Sequence, residues 1–139
     1  SEPGRRGGRS RVLLVDDEPV VREVLAGELR EEGFDVAEAG DGPAALALLE
    51  NGAAVDLLVS DLAMPGLDGV ALIREAQRRR PDLPGILLTG YAGDGAALAV
   101  GSAVEGAFAV LRKPITGAEL ADRVAVLLRP RDQRLEAAR

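Results

Sequence analysis

The chain reads as an α/β fold with one parallel sheet covered by helices on both faces, and three observations carry that prediction. Short apolar runs of strand length recur at Arg11–Val15, Phe34–Glu38, Val55–Ser60, Gly85–Thr89 and Ala107–Leu111. Each run is followed by a segment whose apolar residues repeat at helical spacing. Several runs also stop at a polar side chain, at Asp16, Asp61 and Thr89, with Lys113 close behind the fifth. Alternating strands and helices of this length form a parallel sheet, because each crossover returns a helix across a sheet face. At 139 residues the chain suits one domain.

Taken in order, Arg11-Val-Leu-Leu-Val15 is continuously apolar, as expected of a strand covered on both faces. Pro19 then occupies a first helical turn, and Val20, Val21, Val24, Leu25 and Leu29 recur at helical spacing until Gly33. A second strand at Phe34–Glu38 leads to a helix over Pro43–Glu50 carrying Ala44, Leu46, Ala47 and Leu48, closed by Asn51-Gly52. The third strand opens onto Asp61, and Leu62–Asp68 is a loop punctuated by Pro65 and Gly66. Gly69–Arg80 is a helix with Val70, Leu72, Ile73 and Ala76 inward and a basic outer face, ended by Pro81.

After the fourth strand, Ala96–Ala103 forms a weaker helix, since Gly93, Gly95 and Gly101 surround or interrupt it. A mid-helix glycine costs about 1 kcal/mol relative to alanine, so this is expected to be the least firmly held helix. The last helix starts near Gly117 or Ala118 and places Leu120, Val124, Leu127 and Leu128 on one face before Pro130. Residues 1–9, rich in Gly and Arg, read as a flexible leader or linker, residues 10–129 as the domain, and residues 130–139 as a short tail.

Composition narrows the function. Hydrophobic residues make up 47% of the chain, enough for a core without disulfides or a structural metal. The absence of Cys and His removes thiol catalysis, imidazole base chemistry and the common zinc ligand sets. A net charge of -6 opposes general binding to a phosphate backbone, and Phe34, Tyr91 and Phe108 are too few for base stacking. No apolar run has membrane-spanning length and no secretory signal opens the chain, so nucleic-acid binding and membrane insertion are not expected.

In parallel α/β sheets ligands gather at the carboxyl ends of the strands. There the chain places Asp16, Asp17, Asp61, Thr89 and Lys113. Crowded carboxylates repel one another and resist ionisation unless a cation sits among them. Mg²⁺ takes oxygen ligands and pairs with phosphate, so an acidic triad beside Lys and Thr suits a phosphoryl group meeting a metal. Any one such Asp alone is ordinarily solvated or a helix cap, and it is the convergence of five residues on one edge that marks a site. Glu18 is read as a first-turn acid favoured by the helix dipole, Asp68 as a helix cap, Arg78–Arg80 as a solvated basic helix end, and Met64 as a packing residue.

Leu14-Val-Asp-Asp-Glu18, Ser60-Asp-Leu-Ala-Met-Pro-Gly-Leu-Asp-Gly69, Leu88-Thr-Gly-Tyr91 and Leu111-Arg-Lys-Pro114 follow one another in an order that resembles the response-regulator receiver domain of bacterial two-component signalling. The resemblance runs from about Arg9 to Arg129. It implies a flavodoxin-like fold of five parallel strands in the order 2-1-3-4-5, flanked by five helices. It also implies that Asp61 is phosphorylated by a histidine kinase or histidine phosphotransfer protein. Asp17 and Asp61 would ligate Mg²⁺, with Mn²⁺ a substitute, while Asp16 acts through a water and the Ala63 carbonyl adds a ligand. Lys113 would pair with the carboxylate or phosphoryl oxygens ahead of a cis peptide at Pro114, and Thr89 would move toward the phosphoryl group. The resemblance further implies a cytoplasmic protein whose 96–103 helix, fifth strand and last helix offer a face to a homodimer mate or downstream protein.

The wording of these motifs resembles receiver domains attached to sensor histidine kinases, and is equally compatible with a single-domain regulator or part of a transcription factor. One departure is Val110, three residues before Lys113, where the family commonly carries an aromatic ring; Phe108 lies two residues earlier on the same strand face. A second is the glycine-punctuated segment after Thr89, for which activation is expected to order or shift a helix more than flip a ring. Two rival readings remain at this level. One is a receiver-like module that binds a partner independently of phosphate. The other is a dehalogenase-like phosphohydrolase, which would carry a second Asp two residues beyond the nucleophile, where this chain has Ala63.

Overall fold

The runs at Arg11–Val15, Val55–Ser60 and Gly85–Thr89 become the middle of a sheet, and those at Phe34–Glu38 and Ala107–Leu111 its edges. In a computed structural model describing residues 9–90 and 107–129, five parallel strands stand in the order β2-β1-β3-β4-β5. They are β1 (Arg11–Val15), β2 (Asp35–Ala39), β3 (Leu57–Asp61), β4 (Gly85–Thr89) and β5 (Phe108–Arg112). Around them lie α1 (Pro19–Glu31), α2 (Gly42–Glu50), α3 (Gly69–Arg79) and α4 (Gly117–Leu128). The helix expected over residues 96–103 lies outside the described residues, as do residues 1–8 and 130–139. Every residue of β3 and β4 is buried, whereas β2, with the sequence Asp-Val-Ala-Glu-Ala, is mostly half-buried at an edge.

Strand alternation divides the core in two. Leu13, Val15, Leu58 and Leu87 pack on one face with Ala45 and Leu49 of α2 and Leu72, Ile73 and Ala76 of α3. Val12, Leu14, Leu57, Val59, Ile86 and Leu88 pack on the other with Leu25, Ala26 and Leu29 of α1 and Leu120, Ala121 and Val124 of α4. Met64 is buried in the first of these clusters, as expected of a packing residue.

The register corrects several details. β2, β3 and β5 begin one or two residues later than the apolar runs, because pairing with the neighbouring strand, not hydropathy, fixes their ends. Within α1 the inward arc runs through Leu25, Ala26 and Leu29, leaving Val20 75% and Val24 55% exposed despite their helical spacing. In α2 the inward positions are Ala45 and Leu49; Ala44 and Ala47 face solvent, while Leu46 and Leu48 are half-buried. Arg78–Arg80 is more than a solvated run. Arg79 bridges Glu75 and Glu50, and Arg80 donates to the carbonyls of Leu49 and Ala53, satisfying acceptors at the end of α2.

Caps fix where the helices begin. Asp41 accepts from Ala44 N at 2.8 Å and Asp68 from Ala71 N at 2.9 Å, the latter as read from the sequence. Thr116 and Glu119 close a reciprocal capping box at the start of α4. These hydrogen bonds from Thr116 hold the exposed Glu119 carboxyl below its usual range.

Gly69, the first residue of α3, sets how closely that helix approaches the end of β3. A Cβ there would overlap the Asp61 carbonyl oxygen and Leu87 Cδ1. Gly69→Ala is therefore expected to destabilise the fold by about 2 kcal/mol, the scale of overpacking a tight core. Urea unfolding measures it, and an unchanged midpoint would show that α3 does not seat on β3 in this way.

Candidate functional site

Parallel pairing of β1 with β3 sets Val15 opposite Ser60, so the residues that follow, Asp16 and Asp61, emerge side by side at the carboxyl edge. Asp16 is completely buried and held by its own polar atoms. Its N–H donates to the Ala39 carbonyl at 3.2 Å, its Oδ1 accepts from Glu18 N at 2.9 Å, and its carbonyl accepts from Arg22 Nη1 at 2.7 Å. Glu18 departs from expectation: it stands at the N-cap of α1 with no side-chain capping bond, and its contribution is the backbone N–H taken up by Asp16. Asp17 is exposed beside them, and Asp61 is only 8% exposed.

Lys113 reaches the cluster from beyond β5. Its backbone N–H donates to the Thr89 carbonyl at 2.7 Å, and a cis peptide joins it to Pro114, as the resemblance implied. Its Nζ lies 2.9 Å from Asp61 Oδ1 and 3.4 Å from Asp16 Oδ2. Carboxylate oxygens of Asp16, Asp17 and Asp61 all fall within 4.8 Å of one another. Ala63 lines the same groove as Asp17, Asp61 and Lys113. Thr89 is buried at the end of β4, where its hydroxyl makes a long 3.5 Å contact to the Leu111 carbonyl on the β5 side.

The electrostatics follow from burial and crowding. Burial pushes the Asp61 carboxyl above the usual carboxylate value; the hydrogen bond and charge of Lys113 pull it down, and repulsion from Asp16 and Asp17 adds to the rise. For Lys113 burial works downward, but the hydrogen bond to Asp61 and the charges of Asp61 and Asp16 outweigh it and hold the ammonium above its usual value. Two of the three carboxylates, Asp61 and Asp16, therefore share one protonated lysine. An all-oxygen, anionic donor set of this kind suits a hard divalent cation and offers no soft ligand.

Two supporting features were not singled out in the sequence. Arg22 looks like any basic residue in a polar helix turn, and its contact with Asp16 comes only from the fold. The Thr116-x-x-Glu119 capping box carries a recognisable spacing. Val110 and Phe108 both pack against the core cluster shared by α2 and α3, so they do share a strand face.

A doubly wound sheet that gathers carboxylates around one lysine at its carboxyl edge is the architecture of a phosphoaspartate receiver. Comparison with known proteins agrees: the chain matches the family described as "Response regulator receiver domain" over residues 12–125, and it belongs to that family. It is 39% identical over 126 residues to the sensor kinase CckA of Brucella abortus (strain 2308), covering 90% of this chain and 13% of that protein. It is 40% identical over 119 residues to the response regulator MprA of Mycobacterium sp. (strain KMS), covering 86% of this chain and 50% of that one. Among solved structures, the response regulator TrrA of Thermotoga maritima, in complex with Mg(2+)-BeF, matches with a TM-score of 0.74 and 35% identity over 86% of this chain and 99% of its own. The chain thus spans half or less of the length of these curated relatives.

The raised Asp61 carboxyl yields a signed prediction. The folded state holds this proton more tightly than the unfolded chain, so stability falls as pH rises from the ordinary value of 3.8 through the folded one. Metal-free Asp61→Asn is therefore expected to melt higher than the native chain at pH 7, with Asp16 still pairing Lys113. The gap should narrow as pH falls through that window. Thermal unfolding in chelator tests this, and an equal or lower melting point for the variant at pH 7 would contradict it.

Proposed function

We propose that the chain accepts a phosphoryl group onto Asp61 from a phosphohistidine partner, and that Asp16, Asp17, Thr89 and Lys113 support that transfer. The observation that carries this reading is the position of Lys113 Nζ between Asp61 and Asp16, inside a cluster of three carboxylates. A carboxylate oxygen of Asp61 attacks phosphorus, the P–N bond to the partner's imidazole breaks, and an acyl phosphate forms. Lys113 offsets the charge on the transferred oxygens, held at one edge of the site by its backbone tie to Thr89. Asp17 and Asp61 would hold Mg²⁺ or Mn²⁺, with the Ala63 carbonyl as a further ligand and Asp16 acting through a water. A divalent cation bound there supplies positive charge to the phosphoryl oxygens. Thr89 would turn toward the phosphoryl group, whose added charge of about -1.5 to -2 drives the rearrangement.

The partner reading rests on the surface beside the site. A groove of about 1190 Å³ runs from Asp17, Asp61 and Lys113 along α1, floored by Val20, Val21 and Val24 and walled by Pro114 and Ile115. Its lining joins exposed valines to the charged cluster, which suits the surface of a protein partner. A histidine kinase or histidine phosphotransfer protein seated there would bring its phosphohistidine over Asp61, which accounts for the exposed Val20 and Val24. The contact face predicted for a homodimer or downstream protein includes residues 96–103, outside the described residues. Among the described residues no helix is long and apolar enough to cross a membrane; the cytoplasmic setting proposed here rests on the resemblance to two-component receivers.

The test is incubation with acetyl phosphate and Mg²⁺, followed by intact mass measurement. The native chain should gain one phosphoryl group that hydroxylamine removes, and Asp61→Asn or excess chelator should abolish the gain. A phosphoryl group that persists on Asp61→Asn would assign the acceptor elsewhere.

A further inference from the structure

We propose that Arg22 is a positioning residue for this site: its guanidinium, oriented by Glu38, fixes the peptide plane that joins Asp16 to Asp17. The inference rests on the phosphoacceptor reading above and extends it to a side chain outside the cluster.

The argument begins with how Asp17 is held. Among the described residues no hydrogen bond fixes its exposed side chain, so its direction is set by the backbone that carries it. Asp16 is tied through its N–H to Ala39, and the Glu18 N–H returning to its Oδ1 closes a ring that limits rotation about the bond leading to Asp17. That rotation moves the Asp16 carbonyl, and the carbonyl is where Arg22 Nη1 sits, at 2.7 Å. A second hydrogen bond thus holds the plane from which Asp17 departs, and it also satisfies a backbone acceptor of a completely buried residue.

Arg22 is itself held. Its Nε lies 3.3 Å from Glu38 Oε1, and the other oxygen of that carboxylate lies 3.3 Å from Arg30 Nη2. Arg30 in turn donates to the Val36 carbonyl at 2.9 Å. Glu38 stands on β2 and Arg22 on the first full turn of α1, so the chain of contacts ties the edge strand and the helix to the turn carrying both acids. A planar guanidinium can direct Nη1 to a carbonyl while Nε faces a carboxylate, whereas a lysine ammonium on a flexible stem is not pre-organised for both.

The full chain is titrated with Mg²⁺ by calorimetry, its phosphorylation rate by acetyl phosphate is measured at saturating Mg²⁺, and amide exchange at Asp17 and Glu18 is followed in metal-free protein. Arg22→Gln should weaken Mg²⁺ binding about tenfold or more, the usual effect of removing a group that orients a ligand. Asp17 and Glu18 amides should exchange faster in that variant before any metal is added. Arg22→Lys, which keeps the charge, should remain impaired. Glu38→Gln, which leaves α1 intact, should give a smaller loss that adds nothing to Arg22→Gln in the double variant. Native affinity in Arg22→Gln, full rescue by Arg22→Lys, or additive losses would overturn the inference. A native chain that neither binds Mg²⁺ nor takes up a phosphoryl group would instead overturn the reading beneath it.

Discussion

The contact on which this molecule turns is between Lys113 and the two buried acids, Asp61 at 2.9 Å and Asp16 at 3.4 Å. Three carboxylates drawn together at a buried sheet edge are unfavourable in isolation, and one ammonium compensates only part of their charge. The remainder is an attraction for a cation. The same imbalance that costs the resting fold stability is what prepares it for a metal and a phosphoryl group, a trade commonly seen where activity and stability compete.

The fold creates this arrangement by register. β1 and β3 are neighbours although they are not consecutive in sequence, so Asp16 and Asp61 meet across 44 intervening positions. β4 and β5 then deliver Thr89 and Lys113 to the same edge. Gly69 allows α3 to close against the end of β3, and Arg22 and Glu38 hold the acidic turn from the other side. Val20 and Val24 fit this scheme as well: apolar side chains left outside the core beside the charged cluster form a surface that a protein partner could cover.

Much of this was readable from the residues alone. β1 and β4 announce themselves because strands buried on both faces are near-continuous apolar runs, as is the Leu57–Val59 centre of β3, and the polar residues that end them could be assigned to one edge before any coordinates. Asp68 as a cap and Met64 as a packing residue were equally plain. What periodicity could not supply was direction. Helical spacing alone does not distinguish Val20 and Val24 from Leu25 and Leu29, since which arc turns inward depends on the sheet below. The roles of Arg22 and Arg80 depend on carbonyls brought near by folding, at Asp16, Leu49 and Ala53, and no local pattern encodes such a meeting.

The most direct measurement is a crystal structure grown with Mg²⁺ and beryllofluoride, a tetrahedral stand-in for a phosphoryl group on a carboxylate. The account predicts one cation held by Asp17, Asp61 and the Ala63 carbonyl, with beryllofluoride on Asp61 and Lys113 Nζ against its fluorides. A cation bound away from these three ligands, or an Asp61 that stays bare while another side chain carries the beryllofluoride, would contradict it.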